Sequence, residues 1–132
     1  MSLKHVLTYY ASHMDWVVVF IEAFDAEFSE FPREVQTALV AKARLLECFG
    51  PQLGRPHVDT LKDSKHANMK ELRFDAADGV WRAAFAFDTL RKAVILVAGD
   101  KSSGSEKRFY RSLIATADKR FDDYLSQQKK GV

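Results

Sequence analysis

The sequence predicts an α+β fold in the order strand, helix, helix, three-strand meander, helix. Three observations carry this prediction. Residues 70–101 read as three short strands joined by two tight turns. Residues 23–49 place apolar side chains at helical spacing on both sides of Pro32. Residues 105–128 carry a second, longer stripe of the same kind.

Residues 1–15 show no clean period and read as an extension that packs loosely. Trp16 to Ile21 (WVVVFI) is β-branched and aromatic, a central strand. Phe24, Phe28 and Phe31 recur at spacings of four and three, which makes 23–31 an amphipathic helix. Pro32 suits the first turn of the next helix, which runs to about Phe49 with Val35, Leu39, Leu46 and Phe49 on one face. Lys42 falls inside that stripe, so its stem packs while its amine reaches the edge. Gly50-Pro51 stops the helix, and residues 50–68 form a loop dense in Gly, Pro, His and Lys.

In the meander, Leu72 and Phe74 alternate with Glu71, Arg73 and Asp75. Asp78-Gly79 is a hairpin signal. The next strand puts Trp81, Ala83, Phe85 and Phe87 on one face and Val80, Arg82, Ala84, Ala86 and Asp88 on the other. Asp88 to Lys92 turns the chain, and Ala93 to Ala98 is apolar throughout, as for a strand buried on both faces. Ser103 with Glu106 matches a capping box for a helix from Ser105 to about Gln128. Residues 129–132 read as a frayed tail of one domain covering 1–132.

The pairing parity of the meander follows from these faces. If Leu72 and Phe74 share the core face with Trp81 and Phe85, directly opposed residues must sum to an odd number. Arg73 and Arg82 then share the other face, beside the small Ala84 and Ala86. The sequence thus predicts two guanidinium groups over a shallow floor away from the core, a site for a polyanion.

Charge supports an anionic partner. The 132 residues carry a net charge of +2, but residues 1–50 sum to −3 and residues 51–132 to +5. The lone Cys48 excludes an intramolecular disulfide and reads as a small core residue. No apolar run approaches the length of a membrane span and no signal segment appears, so no membrane association and a cytoplasmic location are expected. No His, Cys, Asp or Glu cluster has metal-ligand spacing, and neither a nucleophile elbow nor a dinucleotide fingerprint is present. No cofactor is therefore expected. Lys101 precedes a helix N-terminus in a Gly-flanked loop, where backbone N–H groups favour an anion. Arg108, Tyr110 and Arg111 follow in the first turns of that helix, and Tyr110 reads equally as a core residue. His57 and His66 sit in the long loop, where an imidazole can move a proton or simply face solvent.

Four segments, LLECFGPQLGRPHVDTLKDSKHANMKELRF, WRAAFAFD, VILVAGDK and FYRSLIATADKRFDDYL, resemble the RelE/HigB toxin family, in its phage-derived HigB-like branch. The resemblance runs from about Trp16 to Leu125. It implies a small RelE-like α+β fold with an antiparallel four-stranded sheet and a C-terminal helix. It also implies a type II toxin–antitoxin toxin that cuts mRNA on the ribosome, and a cognate antitoxin, expected to be a small helix-turn-helix protein. By motif, the catalytic cations fall on Arg73 in KELR, Arg82 in WRAAF and Lys101 in GDK. These are the positions that the strand faces (Arg73, Arg82) and the loop before the last helix (Lys101) also select. His66, His57 and Tyr110 remain open for proton transfer, with His66 and Tyr110 placed beside the three cations. Arg55, His57, Lys62, Lys65, Lys70, Arg108 and Arg111 are the expected RNA-binding set. Two other readings stay open: a ParE-like toxin that binds gyrase, and a non-catalytic nucleic-acid binding module of the same fold.

Overall fold

The computed structural model describes residues 15–131, so the expected N-terminal extension lies outside the described residues apart from Asp15. The elements are β1 (Val17–Phe20), α1 (Glu22–Ser29), α2 (Arg33–Phe49), β2 (Val58–Thr60), β3 (Met69–Ala76), β4 (Gly79–Phe87), β5 (Lys92–Asp100) and α3 (Glu106–Lys130). They form one sheet in the order β1-β5-β4-β3-β2, so β1 is an edge strand and not the central strand expected.

The sheet corrects the expectation of four antiparallel strands. It has five strands and is mixed, because β1 pairs β5 in parallel, from Val17 opposite Lys92 to Phe20 opposite Ile95. The two helices and the meander bring the chain back in the direction of β1, as a crossover must for parallel strands. The fifth strand, β2, lies inside the expected loop and pairs antiparallel with Lys70 to Leu72 of β3. Three residues are too few to show a strand period.

Both faces of the sheet are covered. Leu72, Phe74, Ala83, Phe85 and Ile95 pack with Phe24, Val35, Leu39 and Leu46 from α1 and α2. On the other face Met69, Ala84, Ala86, Val94 and Leu96 lie beneath Leu113, Ile114, Ala117 and Phe121 of α3. Ala84 and Ala86 are fully buried, so they are not an open floor. Their small side chains let α3 approach the sheet closely. Phe49, expected on the buried stripe of α2, is instead 41% exposed because α2 ends there.

Two local expectations change for geometric reasons. Ala77 and Asp78 carry the positive φ values of the first hairpin, 50° and 61°, and Gly79 already belongs to β4. Gly79 is needed for close approach, since a Cβ there would stand 2.5 Å from Oδ2 of Asp100. The cap of α3 is Ser105, whose hydroxyl accepts the Arg108 N–H at 3.2 Å, and not Ser103. Glu106 is drawn instead to Lys101. Among the described residues no helix is long and apolar enough to cross a membrane.

Candidate functional site

The pairing register places the two arginines as the parity argument requires, with Leu72 opposite Ala83 and Arg73 opposite Arg82. Both therefore share the α3 face with Glu71. Their surroundings differ sharply. Arg73 lies at the last residue supported by the β2 segment, where its N–H donates to the His57 carbonyl at 2.8 Å, and its side chain is one-third exposed. Arg82 sits one strand further in, beneath the first turns of α3, and its side chain is only 7% exposed. The expectation of two open guanidinium groups fails for Arg82 because α3 covers that face.

Arg82 is held by Glu71, itself buried, with Nε 3.1 Å from Oε1. The Nε–H does not point along that line, so the contact is an ion pair and the Nε–H has no hydrogen-bond acceptor among the described residues. Nη1 donates to the Trp81 carbonyl at 2.8 Å. Glu71 accepts a second contact, the Tyr110 hydroxyl at 2.8 Å. Burial, and then the Glu71 carboxylate, push the Tyr110 phenol up to about 12, with Arg82 opposing.

Lys101 closes the cluster from the β5–α3 turn. Its backbone N–H donates to the Val80 carbonyl at 2.8 Å, its Nζ donates to Glu106 at 2.8 Å, and the same Nζ stands 5.6 Å from the centre of the Tyr110 ring. The amine holds the Glu106 carboxyl below its ordinary value. Glu71, Glu106, Tyr110 and Arg111 line a cleft of about 680 Å³ between α3 and the 60–63 segment, floored by Leu61 and Ile114.

Each nominated cation already has an internal carboxylate. Arg82 faces Glu71, Lys101 faces Glu106, and Arg73 lies 3.8 Å from Asp59. Asp59 is gripped at 2.6 Å by Arg55, and hydrogen bonds from Arg55 and the Thr60 N–H hold its carboxyl below the usual range. An incoming phosphate must compete with these groups, which favours a ligand of several charges over a lone anion.

The other nominated residues scatter. His66 pairs with Asp122 at 2.8 Å and packs edge-on against Phe121, with Lys65 on the same carboxylate. Asp122 lies about 18 Å along α3 from Tyr110 at a rise of about 1.5 Å per residue, so His66 stands apart from the cluster. His57 and Arg55 lie at the β3 edge, where His57 Nδ1 is 2.7 Å from Lys42 Nζ. Lys62 and Arg111 rim the cleft. Lys70 shares the parity of Leu72 and so takes the opposite face, and Arg108 lines a separate groove with Val97, Phe109 and Leu113. The structure thus brings Arg73, Arg82, Lys101 and Tyr110 to one end of the sheet and adds Glu71. Strand alternation gave no signal for Glu71, because it reads such a residue as solvent-facing. The length of the α3 stripe was the available clue that this face is covered. Among the described residues no group of three His, Cys, Asp or Glu side chains is placed to hold a metal ion.

Comparison with known proteins identifies the family. Residues 26–122 match the family described as "Phage derived protein Gp49-like". The chain is 39% identical over 114 residues to "Putative toxin HigB3" of Mycobacterium tuberculosis, covering 86% of this chain and 97% of that one. It is also 39% identical over 108 residues to "Putative toxin HigB2" of the same organism, covering 81% of this chain and about half, 53%, of that longer one. No solved structure matches the chain. The chain therefore belongs to the phage-derived Gp49-like family, within the HigB-like toxins of toxin–antitoxin systems.

Proposed function

We propose that the protein is a ribosome-dependent mRNA endonuclease that stops translation and is held inactive by a cognate antitoxin, which the family implies, most naturally a small helix-turn-helix protein. The supporting observation is the convergence of Glu71 from β3, Arg82 from β4, Lys101 from the β5–α3 turn and Tyr110 from α3, beside a cleft that Glu71 and Tyr110 line.

In this reading the ribose 2′-oxygen attacks the adjacent phosphorus, the bond to the 5′-oxygen breaks, and a 2′,3′-cyclic phosphate and a 5′-hydroxyl result. Negative charge builds on the non-bridging oxygens. Arg82, Lys101 and Arg73 supply fixed positive charge there, and each such donor is worth a few kcal/mol in a water-poor site. Glu71, which faces Arg82 and Tyr110, takes the 2′-proton in this reading. Tyr110, whose phenol at about 12 keeps its proton at neutral pH, is placed to give one to the leaving 5′-oxygen once its hydroxyl turns from Glu71. His66, fixed to Asp122, takes no part.

The test is cleavage of defined transcripts on purified ribosomes with mapping of both new ends. Cyclic-phosphate ends that vanish in Lys101→Ala support the reading. Intact mRNA accompanied by gyrase-linked DNA breaks would replace it with the ParE-like reading.

A further inference from the structure

Lys42 is a half-buried cation with no counterion among the described residues. The apolar stripe of α2 turns it toward the sheet, one turn after Leu39 and one before Leu46. Its described partner is Nδ1 of His57 at 2.7 Å. A lysine ammonium can only donate, so Nδ1 accepts and the ring proton sits on Nε2. No carboxylate pairs Lys42 among the described residues, and residues 1–14 contain no Asp or Glu that could. By contrast Arg73, Arg82 and Lys101 each have one. The neutral imidazole of His57 leaves this partly desolvated charge unneutralised, so the arrangement suits an anion from outside.

The surrounding shape fits one. Lys42, Arg55, Arg73 and Arg82 line a concavity of about 600 Å³ at the free edge of β3, with Asp75 as the only acidic residue in its wall among the described residues. The cations come from α2, the loop before β2, β3 and β4. Asp59 Oδ2, bound by Arg55 and approached by Arg73, shows that an oxyanion is accommodated between those two guanidinium groups. Arg73 and Arg82 belong both to this wall and to the proposed cleavage site, so the two are continuous.

We infer that this concavity is an anion subsite that takes a backbone phosphate of single-stranded RNA flanking the cleaved position, with Lys42 as its principal ligand. The inference rests on the endonuclease reading for its source of phosphate. Salt dependence reads it directly, because each phosphate contact on a single strand adds about 0.7 to the slope of log K against log salt. The probe is a labelled 12-nucleotide RNA, 2′-O-methylated throughout so that it cannot be cut, followed by anisotropy across a salt series. Lys42→Gln should lower the slope by about 0.7 and weaken binding about fivefold at about 0.1 M salt. Lys119→Gln, an exposed α3 lysine paired with Asp123, should change neither. If Lys42→Gln melts early, Lys42→Met, which keeps the packed stem, carries the same expectation, and Lys42→Arg should restore the slope.

An unchanged slope in a folded Lys42 variant overturns the subsite, as does a wild-type protein that does not bind the strand. An unchanged slope together with a weakened antitoxin complex overturns it in favour of an acidic protein segment. Transcript cleavage separates the two readings. Wild-type protein that cuts, with a slope indifferent to Lys42, sinks the subsite alone. Protein that cuts nothing but loses one phosphate contact in Lys42→Gln sinks the endonuclease reading and leaves the subsite standing.

Discussion

Truncating Arg82 should destabilise the protein far more than truncating Arg73, although the sequence pattern treats the two as equals. The Arg82 side chain is 7% exposed and its partner Glu71 9%, whereas Arg73 is 33% exposed. Arg82→Ala leaves a buried carboxylate with only the Tyr110 hydroxyl to answer it. Breaking one side of a buried pair costs roughly 3–5 kcal/mol, and the remaining hydroxyl points to the lower end, about 3 kcal/mol. Unfolding entropy of about 2.1 cal/mol/K per residue gives about 0.28 kcal/mol/K for this chain, so Tm should fall by about 11 °C. Arg73→Ala, an ordinary surface change, should stay within about 1 kcal/mol, or about 4 °C. The double variant Arg82→Met with Glu71→Leu removes both charges and should recover most of the lost stability without recovering cleavage. Calorimetry on the four proteins decides the matter. If Arg82→Ala melts within about 4 °C of wild type, or the double variant melts no higher than Arg82→Ala, the buried pair is not what secures this face.

Further predictions concern the site, the core and pH. Lys101→Ala should cut cleavage roughly a hundredfold or more with little change in Tm, measured on ribosomes and by melting. Leu72→Ala should lose roughly 2–5 kcal/mol through a core cavity, since Leu72 is fully buried, and a melt measures it. Tyr110 has its pKa raised from 10 to about 12, so its contribution is complete below pH 10 and lost as pH rises toward 12; Tyr110→Phe should make the alkaline fall in Tm shallower. Asp88 is the opposite case. Burial raises its pKa, but hydrogen bonds from Tyr124, the Lys92 and Leu90 N–H groups and Gln128 outweigh it and set the value below 3.8. Its contribution is therefore full above pH 3.8 and lost as pH falls through the folded value, and Asp88→Asn should flatten that acid-side loss in melts taken from pH 5 downward.

The meander was legible because its faces alternate over long enough runs. That the register is odd and puts Arg73 and Arg82 on one face follows from Leu72, Phe74, Trp81 and Phe85 alone, whereas the exact pairing of Arg73 with Arg82 is seen only in the structure. The strand at Val17–Phe20 was legible from its β-branched run, but its parallel pairing with β5 was not, because direction is set by the whole connection rather than by local pattern. β2 escaped because three residues carry no period. The cluster was only half visible. Arg73, Arg82 and Lys101 could be picked by face and turn, yet Ala84 and Ala86 suggested an open floor where they in fact admit α3. That one error about cover hid the burial of Arg82 and the role of Glu71. It also left His66 looking as available as Tyr110, although the two attach to opposite halves of α3.

The central claim is that this cluster drives a 2′-hydroxyl attack on mRNA. The most direct measurement uses ribosomes programmed with one transcript in two forms, identical except for a single 2′-deoxy substitution at the mapped cleavage position. Expected are cleavage of the all-ribose form to 2′,3′-cyclic phosphate and 5′-hydroxyl ends, no cleavage at the deoxy position, and a fall of roughly a hundredfold or more in the all-ribose cleavage for Lys101→Ala. Cleavage that persists at the deoxy position, or that leaves a 5′-phosphate, would contradict it.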